Sequence, residues 1–528
     1  MDVRKEVIVV GGGIAGLTAA LTLSSKGKDV LLIEKNDYCG GLMNTFERDG
    51  FRFEGGARAL VNSGLVKPLA EEFKIDIEFL PNPVSIIVED KVLKINGVES
   101  IYEYAKILKE LYPESMGDVD RIILAIKGVI EDMKVLYGVD NPLFEKGKKN
   151  ILNLLYVVPW FFKFLRTIYR IGKLQEPIES YMDKLTSNRS LRDIIIQHFF
   201  KGTPTFFALS YFALYNDYIY PKGGVGNFTR KIAEKIKEMG GEILLNTEIV
   251  SVDVSENKLI DSNGKEYNYE KLIWAADLKQ FYLNAKNIPE KFKGKFNTEK
   301  EKILRAKGAE SVFSLFLELD IPAEFFGKIA TGHMFYTPKK EGLGELHRLE
   351  LKRLIQNWKN IKKEDVYSWL EKFVKYNTFE ISIPALREKQ AAPEGKTGMI
   401  VSLLFDYELT ELIYKDGWYD EFKEKFSEFV IDAISEGVFD GVKLKDKIIA
   451  KFSATPITIH KIVKSSDGAI VGWSFEEGIP VNASMMNMKA AVRTSIPNVF
   501  KAGQWTFSPA GGPTSIMIGR MAANECVK

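Results

Sequence analysis

Gly11, Gly13 and Gly16 stand in the order Gly-x-Gly-x-x-Gly, and Glu34 follows after one helix-like and one strand-like run. Residues of these types at this spacing can hold a dinucleotide. Gly11 makes a tight turn, Gly13 lets the backbone approach a pyrophosphate, and Gly16 lets a helix press on a strand. The pyrophosphate then sits at a helix N-terminus, over Ile14 and Ala15, where free N–H groups and the helix dipole favour an anion. The Glu34 carboxylate, followed by Lys35, can accept both hydroxyls of an adenosine ribose and would repel a ribose 2′-phosphate.

The elements that must position these residues are legible around them. Val7 to Val10 is an unbroken apolar β-branched run and reads as a strand buried on both faces. The helix after it carries Ala19, Ala20 and Leu23 on one side, and a second strand, Val30 to Ile33, delivers Glu34. This is an α/β, doubly wound, Rossmann-like unit. At the other end of the chain a strand, Val499 to Ala502, leads through Gly503 and Gln504 into a loop. Gly511-Gly512-Pro513-Thr514 then opens a helix holding Gly519, Ala522 and Ala523. Pro513 suits a first helical turn. Gly223 to Gly226 and Gly511 to Gly519 do not repeat the fingerprint, so no separate nicotinamide-binding unit is expected.

A chain of 528 residues has room for about two or three domain-sized units. A net charge of +2, with basic residues dispersed, gives no reason to propose nucleic acid. Two cysteines, Cys39 and Cys526, cannot build a disulfide framework and fit a reducing compartment. The four histidines lack ligand spacing, so no metal is expected. The first strand begins near residue 6, which leaves no signal peptide, and a cytoplasmic location is expected. Residues 84–95 read as a hairpin turning at Glu89-Asp90-Lys91, and 99–200 as largely helical. Residues 310–320, 379–386 and 398–407 are strand-rich. Within the helical region, 151–172 is apolar and aromatic with Lys163, Arg166 and Arg170 interleaved. It suits either a helix lying in the inner face of a membrane, or an amphipathic core helix with a basic wet edge. Residues 199–221 are dense in aromatics, among them Phe206, Phe207, Tyr211 and Tyr215. They either wall a pocket for a long unsaturated ligand or are ordinary core.

Further motifs carry a resemblance. Cys39-Gly40-Gly41-Leu42 adds a glycine pair just past Glu34, and Phe51-Arg52-Phe53-Glu54-Gly55-Gly56 gives F-x-F-E-x-G. Tyr220-Pro221-Lys222-Gly223-Gly224 gives Y-P-x-G-G. Pro384 with Ala392-Pro393-Glu394-Gly395, and Thr455-Pro456 with Gly468-Ala469-Ile470-Val471-Gly472, complete the series. In this order they resemble the phytoene desaturase, carotenoid isomerase and retinol saturase group of FAD enzymes, within the amine oxidase-like superfamily.

The resemblance implies FAD, held by the residues named above together with Gly40, Gly41, Leu42, Gly56 and Ala57. It also implies backbone at Val250 beside the adenine, and Gly503, Gln504, Gly512, Pro513 and Thr514 near the flavin. Many relatives carry an acid where Gln504 stands. Arg58 would be a cation at or near the flavin, acting in catalysis, or else a member of a structural ion pair. The implied FAD-binding domain is discontinuous, 1–80, 221–285 and 490–528. An inserted α+β substrate-binding domain would take 81–220 and 286–489. The implied activity is desaturation, saturation or cis-trans isomerisation of carbon–carbon double bonds in a long apolar polyene, isoprenoid or unsaturated lipid. The alternatives are an amine or amino-acid oxidase, and a non-catalytic prenyl- or lipid-binding protein of the GDP-dissociation-inhibitor type.

Overall fold

The computed structural model describes residues 3–137, 166–482 and 488–528. Its first sheet is organised around β1 (Val3–Val10), whose last four residues are buried on both faces. β1 pairs in parallel with β2 (Val30–Ile33) on one side and with the strand Glu266–Trp274 on the other. Glu242–Leu244 extends the sheet beyond β2, and Val499–Lys501 pairs in parallel with the end of Glu266–Trp274. Antiparallel strands Lys258–Asp261 and Ile249–Asp253 complete the far edge, with Ala285–Lys286 outermost.

The sequence marks one side of the helix α1 (Ile14–Ser24) with Ala19, Ala20 and Leu23. All eleven of its residues are buried. The reason is that α1 is the middle of a layer, with the helices Gly512–Cys526 and Val225–Glu238 packed along it. Gly519 makes the first of these contacts possible, since a Cβ there would lie 2.2 Å from the Ala15 carbonyl oxygen. Gly519→Ala is therefore expected to cost about 1–3 kcal/mol by overpacking. Gly128→Ala, in a helix where an added Cβ meets no described atom within 4 Å, should stabilise by about 0.5–1 kcal/mol. Urea unfolding of the two variants checks the contrast.

A second, seven-stranded sheet runs in the order Ile448–Ala454, Ser311–Leu319, Thr397–Phe405, Phe379–Ser382, His333–Thr337, Val84–Val88, Lys91–Lys94. Alternation along these strands gives it two unlike faces. One face, including Leu315, Leu317, Val401, Ile381 and Met334, packs into a core with the helices Lys363–Lys375 and Tyr419–Ser435. The other carries a row fixed by strand register: Ile86, Phe335, Glu380, Ser402 and Ser314. Helices Ser100–Leu111, Met116–Tyr137 and Thr205–Leu214 enclose a third core beside this face.

Two small sheets tie the large ones together. β3 (Thr45–Arg48) and β4 (Phe51–Glu54) form a hairpin, and Phe46, Phe51 and Phe53 meet Phe316 and Phe452 of the second sheet in an aromatic cluster. Strand Tyr218–Pro221 pairs with both Leu60–Val61 and Phe79–Pro81. Most of the stretch 151–172 lies outside the described residues. Of its basic side chains, Arg166 and Arg170 lie on a helix over 166–173, and Arg170 donates to the buried Asp132. Among the described residues no helix is long and apolar enough to cross a membrane.

Candidate active site

The glycines of the fingerprint divide into two kinds. A Cβ on Gly16 would lie 1.9 Å from the Gly11 carbonyl oxygen, and one on Gly11 would meet the backbone of Ala275 at 2.8 Å. Gly11 also holds φ at +108°, a left-handed value that favours glycine. These two glycines are fixed by the protein's own packing. Gly13 is different: its φ of −67° is ordinary, and no described atom lies within 4 Å of an added Cβ. Gly13 is the N-cap of α1, so the open space beside it lies where free N–H groups accept an anion. The same openness recurs at Gly511, the N-cap of the helix Gly512–Cys526.

Glu34 is buried at the end of β2, where its two oxygens accept the N–H groups of Gly12 (2.6 Å) and Asn36 (2.9 Å). Ionised oxygens have further lone pairs for ribose hydroxyls. Beyond Glu34 the chain returns to the glycine cradle. Gly13 forms a parallel bridge with Gly40, and Gly41 has a φ of +59°. Leu42 accepts the N–H of Ala57, and Gly56 lies so close that a Cβ would sit 2.0 Å from the Leu42 oxygen. Val250 is the extra residue of a β-bulge, since Ile249 pairs with Asp261 while Ser251 pairs with Ile260. A bulge leaves its backbone out of the ladder. Lys35 reaches instead toward carbonyls of Lys461 and Ile462, at the end of the helix Pro456–Val463.

Cys39 stands beside Gly12 and Glu34. Burial, with the Glu34 carboxylate adding to it, pushes its thiol up to about 12, and burial does the same at Cys526. At pH 8 the thiolate fraction of each is then about 10⁻⁴. Neither thiol should react with Ellman's reagent in the native protein on the minute scale, and both should react at once in denaturant.

At the other end of the cradle, Gln504 donates weakly to the Ala469 carbonyl (3.5 Å), and Trp473 donates to the Trp505 carbonyl (3.0 Å). Gly472 presses on Gln504, so the Gly468–Gly472 block walls this loop. Thr506 is fully buried and its hydroxyl has no partner among the described residues. Gly512, Pro513 and Thr514 are half-buried at the helix start.

Arg58 is 3% exposed. It donates to the Glu54 carbonyl, to Ser314 (2.8 Å) and to Ser402 (2.5 Å), while its Nε has no partner among the described residues. Burial lowers its pKa, opposed by the Glu380 and Glu54 carboxylates. Arg387 lies alongside, donating to the Gly332 carbonyl and to Ser382, with its guanidinium 4.6 Å from the Tyr220 ring. A second buried knot holds Glu54, which accepts from Thr45 and Tyr220, each at 2.6 Å, and from the Val225 N–H. Burial raises the Glu54 pKa against those hydrogen bonds.

The aromatic segment flanks the polar row. The helix Thr205–Leu214 sends Ala208, Leu209 and Phe212 into the core and leaves Phe206, Phe207 and Tyr211 half-buried. Tyr211 meets Phe207, Phe199 and Tyr215 edge-on, Tyr215 meets Phe335 at 5.4 Å, and Tyr218 meets His333 at 5.2 Å. The chain thus leads from Gly13, bridged to Gly40, through Leu42, bonded to Ala57, to the adjacent Arg58 and its serines in the polar row. Sequence reasoning missed Glu380, His333, Asn82, Ser314, Ser402 and Arg387. Only strand register brings them together, and no local motif marks them.

Open space at Gly13 and Gly511, the ribose-compatible Glu34, and the buried Thr506 hydroxyl and Arg58 Nε, both without a partner among the described residues, together fit FAD, whose two halves differ in polarity and shape. Residues 9–73 match the family described as "NAD(P)-binding Rossmann-like domain". All-trans-retinol 13,14-reductase of Danio rerio is 24% identical, over 94% of this chain and 82% of its own length. Prolycopene isomerase 1 of an Oncidium hybrid cultivar is 22% identical, over 88% and 74%. The 4,4′-diapophytoene desaturase of Staphylococcus aureus strain COL is 21% identical, over 99% of both chains. A redesigned putrescine oxidase shares the fold, with a TM-score of 0.61 at 11% identity, over 100% of this chain and 99% of its own. The chain is an FAD-dependent oxidoreductase that is similar to the phytoene desaturases, carotenoid isomerases and retinol saturases.

Proposed function

We propose that this enzyme desaturates, saturates or isomerises a carbon–carbon double bond of a long apolar polyene, isoprenoid or unsaturated lipid. The observation that carries the reading is the aromatic wall of Tyr211, Tyr215, Tyr218 and Phe335 standing against the polar row reached from the dinucleotide cradle. Rigid rings with few rotatable bonds suit an extended π system at low entropic cost. FAD supplies the hydride or electron exchange. The chain's own residues hold and orient. Gly11, Gly13, Gly16, Glu34, Gly40, Gly41 and Leu42 would take the ADP half, and Gly503, Gln504, Thr514 and the helix N-terminus at Gly512 the flavin half. Arg58, whose buried Nε has no partner among the described residues, would stabilise negative charge at the ring. On this reading 1–80, 221–285 and 490–528 form the FAD-binding domain and the remainder holds the substrate.

Phe207→Ala tests the pocket. Phe207 is only half-buried, so the fold and bound FAD should persist while turnover of a polyene falls at least about tenfold, the rate equivalent of 1.4 kcal/mol. Loss of FAD in this variant would mean that the helix is core and nothing more.

We also read the protein as peripheral to a membrane. Tyr102, Met116 and Leu124 are exposed on one surface with Lys106, Lys109 and Lys127, and with Glu110 and Asp120, which pair with Lys91 and Lys109; exposed apolar groups beside lysines suit an anionic lipid surface. Leu124→Glu with Lys127→Glu should abolish flotation with anionic liposomes. Equal flotation of variant and wild type would dismiss the reading.

A further inference from the structure

Glu380 lies on the fourth of seven strands, yet 35% of its side-chain surface is accessible. A residue in the middle of a sheet can keep such surface only by facing a space between layers. That space is bounded on the same face by Phe335, Ser402 and, one strand further, Ser314 and the Arg58 that donates to both serines. One carboxylate oxygen, Oε1, lies 2.9 Å from His333 Nε2, and His333 is fully buried. The other ring nitrogen, Nδ1, lies 3.0 Å from the Asn82 amide nitrogen. An amide N–H donating to Nδ1 places the imidazole proton on Nε2, where it is donated to Glu380. Oε2 makes no hydrogen bond to a described side chain and is the part of the group left to the cavity.

We propose that Glu380, oriented by His333 and Asn82, is the group that exchanges a proton with the substrate carbon next to the one that exchanges hydride. The inference rests on the polyene reading above. In the desaturating direction a C–H bond beside Glu380 breaks. Its proton passes to Oε2 and its electron pair forms the new π bond. The neighbouring carbon gives up hydride to oxidised flavin, which gains the two electrons. The carboxyl then releases its proton to water. In the saturating direction the same carboxyl delivers the proton to carbon, and the hydride comes from reduced flavin.

The surroundings keep the group in the ionised form that accepts a proton, while making it a weaker base than a free carboxylate. Burial works against ionisation, but the His333 hydrogen bond together with Arg58 and Arg387 holds Glu380 below the usual carboxylate range. Burial holds His333 neutral, below its ordinary value. The other titratable groups that sense Glu380 are His198, Tyr211, Tyr215 and Tyr218. Burial keeps all four uncharged, the histidine lowered to about 4 and the tyrosines raised. Glu380 is therefore the anion of this cavity, with two guanidiniums behind it. Position decides its role: a carboxylate needed only to balance Arg58 and Arg387 would have no use for an imidazole and an amide fixing one oxygen while the other stays free.

The test uses the FAD-loaded protein and the variants Glu380→Gln, Glu380→Asp and His333→Gln. Glu380→Gln should bind FAD and a polyene normally, while flavin bleaching in a single anaerobic turnover falls about 10²–10⁴-fold, the usual contribution of a positioned acid or base. Glu380→Asp keeps the charge beside the arginines but withdraws the oxygen, and should lose at least about tenfold. A second readout needs no substrate. Oxidised flavin absorbance followed from pH 3 to 8 should show a titration step in the wild type. The step should be absent in Glu380→Gln and move to higher pH in His333→Gln, because loss of the imidazole bond raises the carboxylate pKa. Unchanged bleaching in Glu380→Gln, or a step that survives in it, overturns the assignment of Glu380 alone. Failure of every polyene to bleach the wild type overturns the substrate reading instead.

Discussion

Gly13→Asp is expected to give a folded, colourless protein. The substitution costs the apo fold little, because φ at Gly13 is −67° and no described atom lies within 4 Å of the new Cβ. It puts a carboxylate into the space assigned to the pyrophosphate. Two like charges about 4 Å apart repel by about 4 kcal/mol at an effective dielectric constant near 20, which is about a thousandfold in affinity. The variant should melt with the FAD-stripped wild type, below the holoenzyme by the stabilisation that a bound ligand confers. Gly16→Asp is expected to lose FAD for another reason. Its Cβ would lie 1.9 Å from the Gly11 oxygen, so the turn itself must break, and melting should fall below that of the stripped protein. Flavin absorbance after gel filtration, with thermal melts of both variants, separates the two cases. A yellow Gly13→Asp protein would remove the cradle from the account.

The second large effect is expected at Glu54. Its carboxylate collects Thr45, Tyr220 and the Val225 N–H, and so pins β3, the strand Tyr218–Pro221 and the helix Val225–Glu238 to β4. Glu54→Ala leaves a buried phenol, a hydroxyl and an amide without their acceptor and removes the counter-charge from Arg387. Breaking a buried charged network from one side costs about 3–5 kcal/mol. Glu54→Gln, which keeps an acceptor oxygen, should cost less than half of that. Chemical denaturation of both proteins, with FAD saturating, measures the difference. Equal stability of Glu54→Ala and wild type would mean that the knot is not what joins these segments.

The cradle was legible in the sequence because its parts are local. A strand, a turn and a helix within 6–42 must each use the residue types that the geometry demands, and the C-terminal glycines before Pro513 obey the same logic. The resemblance carried the remainder of the fold, since F-x-F-E-x-G and Y-P-x-G-G each run from a strand end into a glycine turn. The polar row could not be read this way. Asn82, Ser314, His333, Glu380 and Ser402 belong to strands or strand ends scattered over the chain, and their meeting depends on the order and register of one sheet. Arg58 was picked out by its place after Gly56, but its serine partners were invisible for the same reason. The full burial of α1 escaped a reading based on one helix, because the second covering helix comes from the last residues of the chain.

The central claim is that the flavin of this protein exchanges hydride with a polyene. Anaerobic mixing of the FAD-loaded protein with polyenes, unsaturated fatty acids and amines, in both flavin redox states, tests it most directly. The expected result is that the polyene alone reacts. The polyene should bleach oxidised enzyme as it gains a double bond, re-oxidise reduced enzyme as it loses one, or change geometry only on reduced enzyme with no net flavin oxidation. Bleaching by an amine with every polyene inert would contradict it.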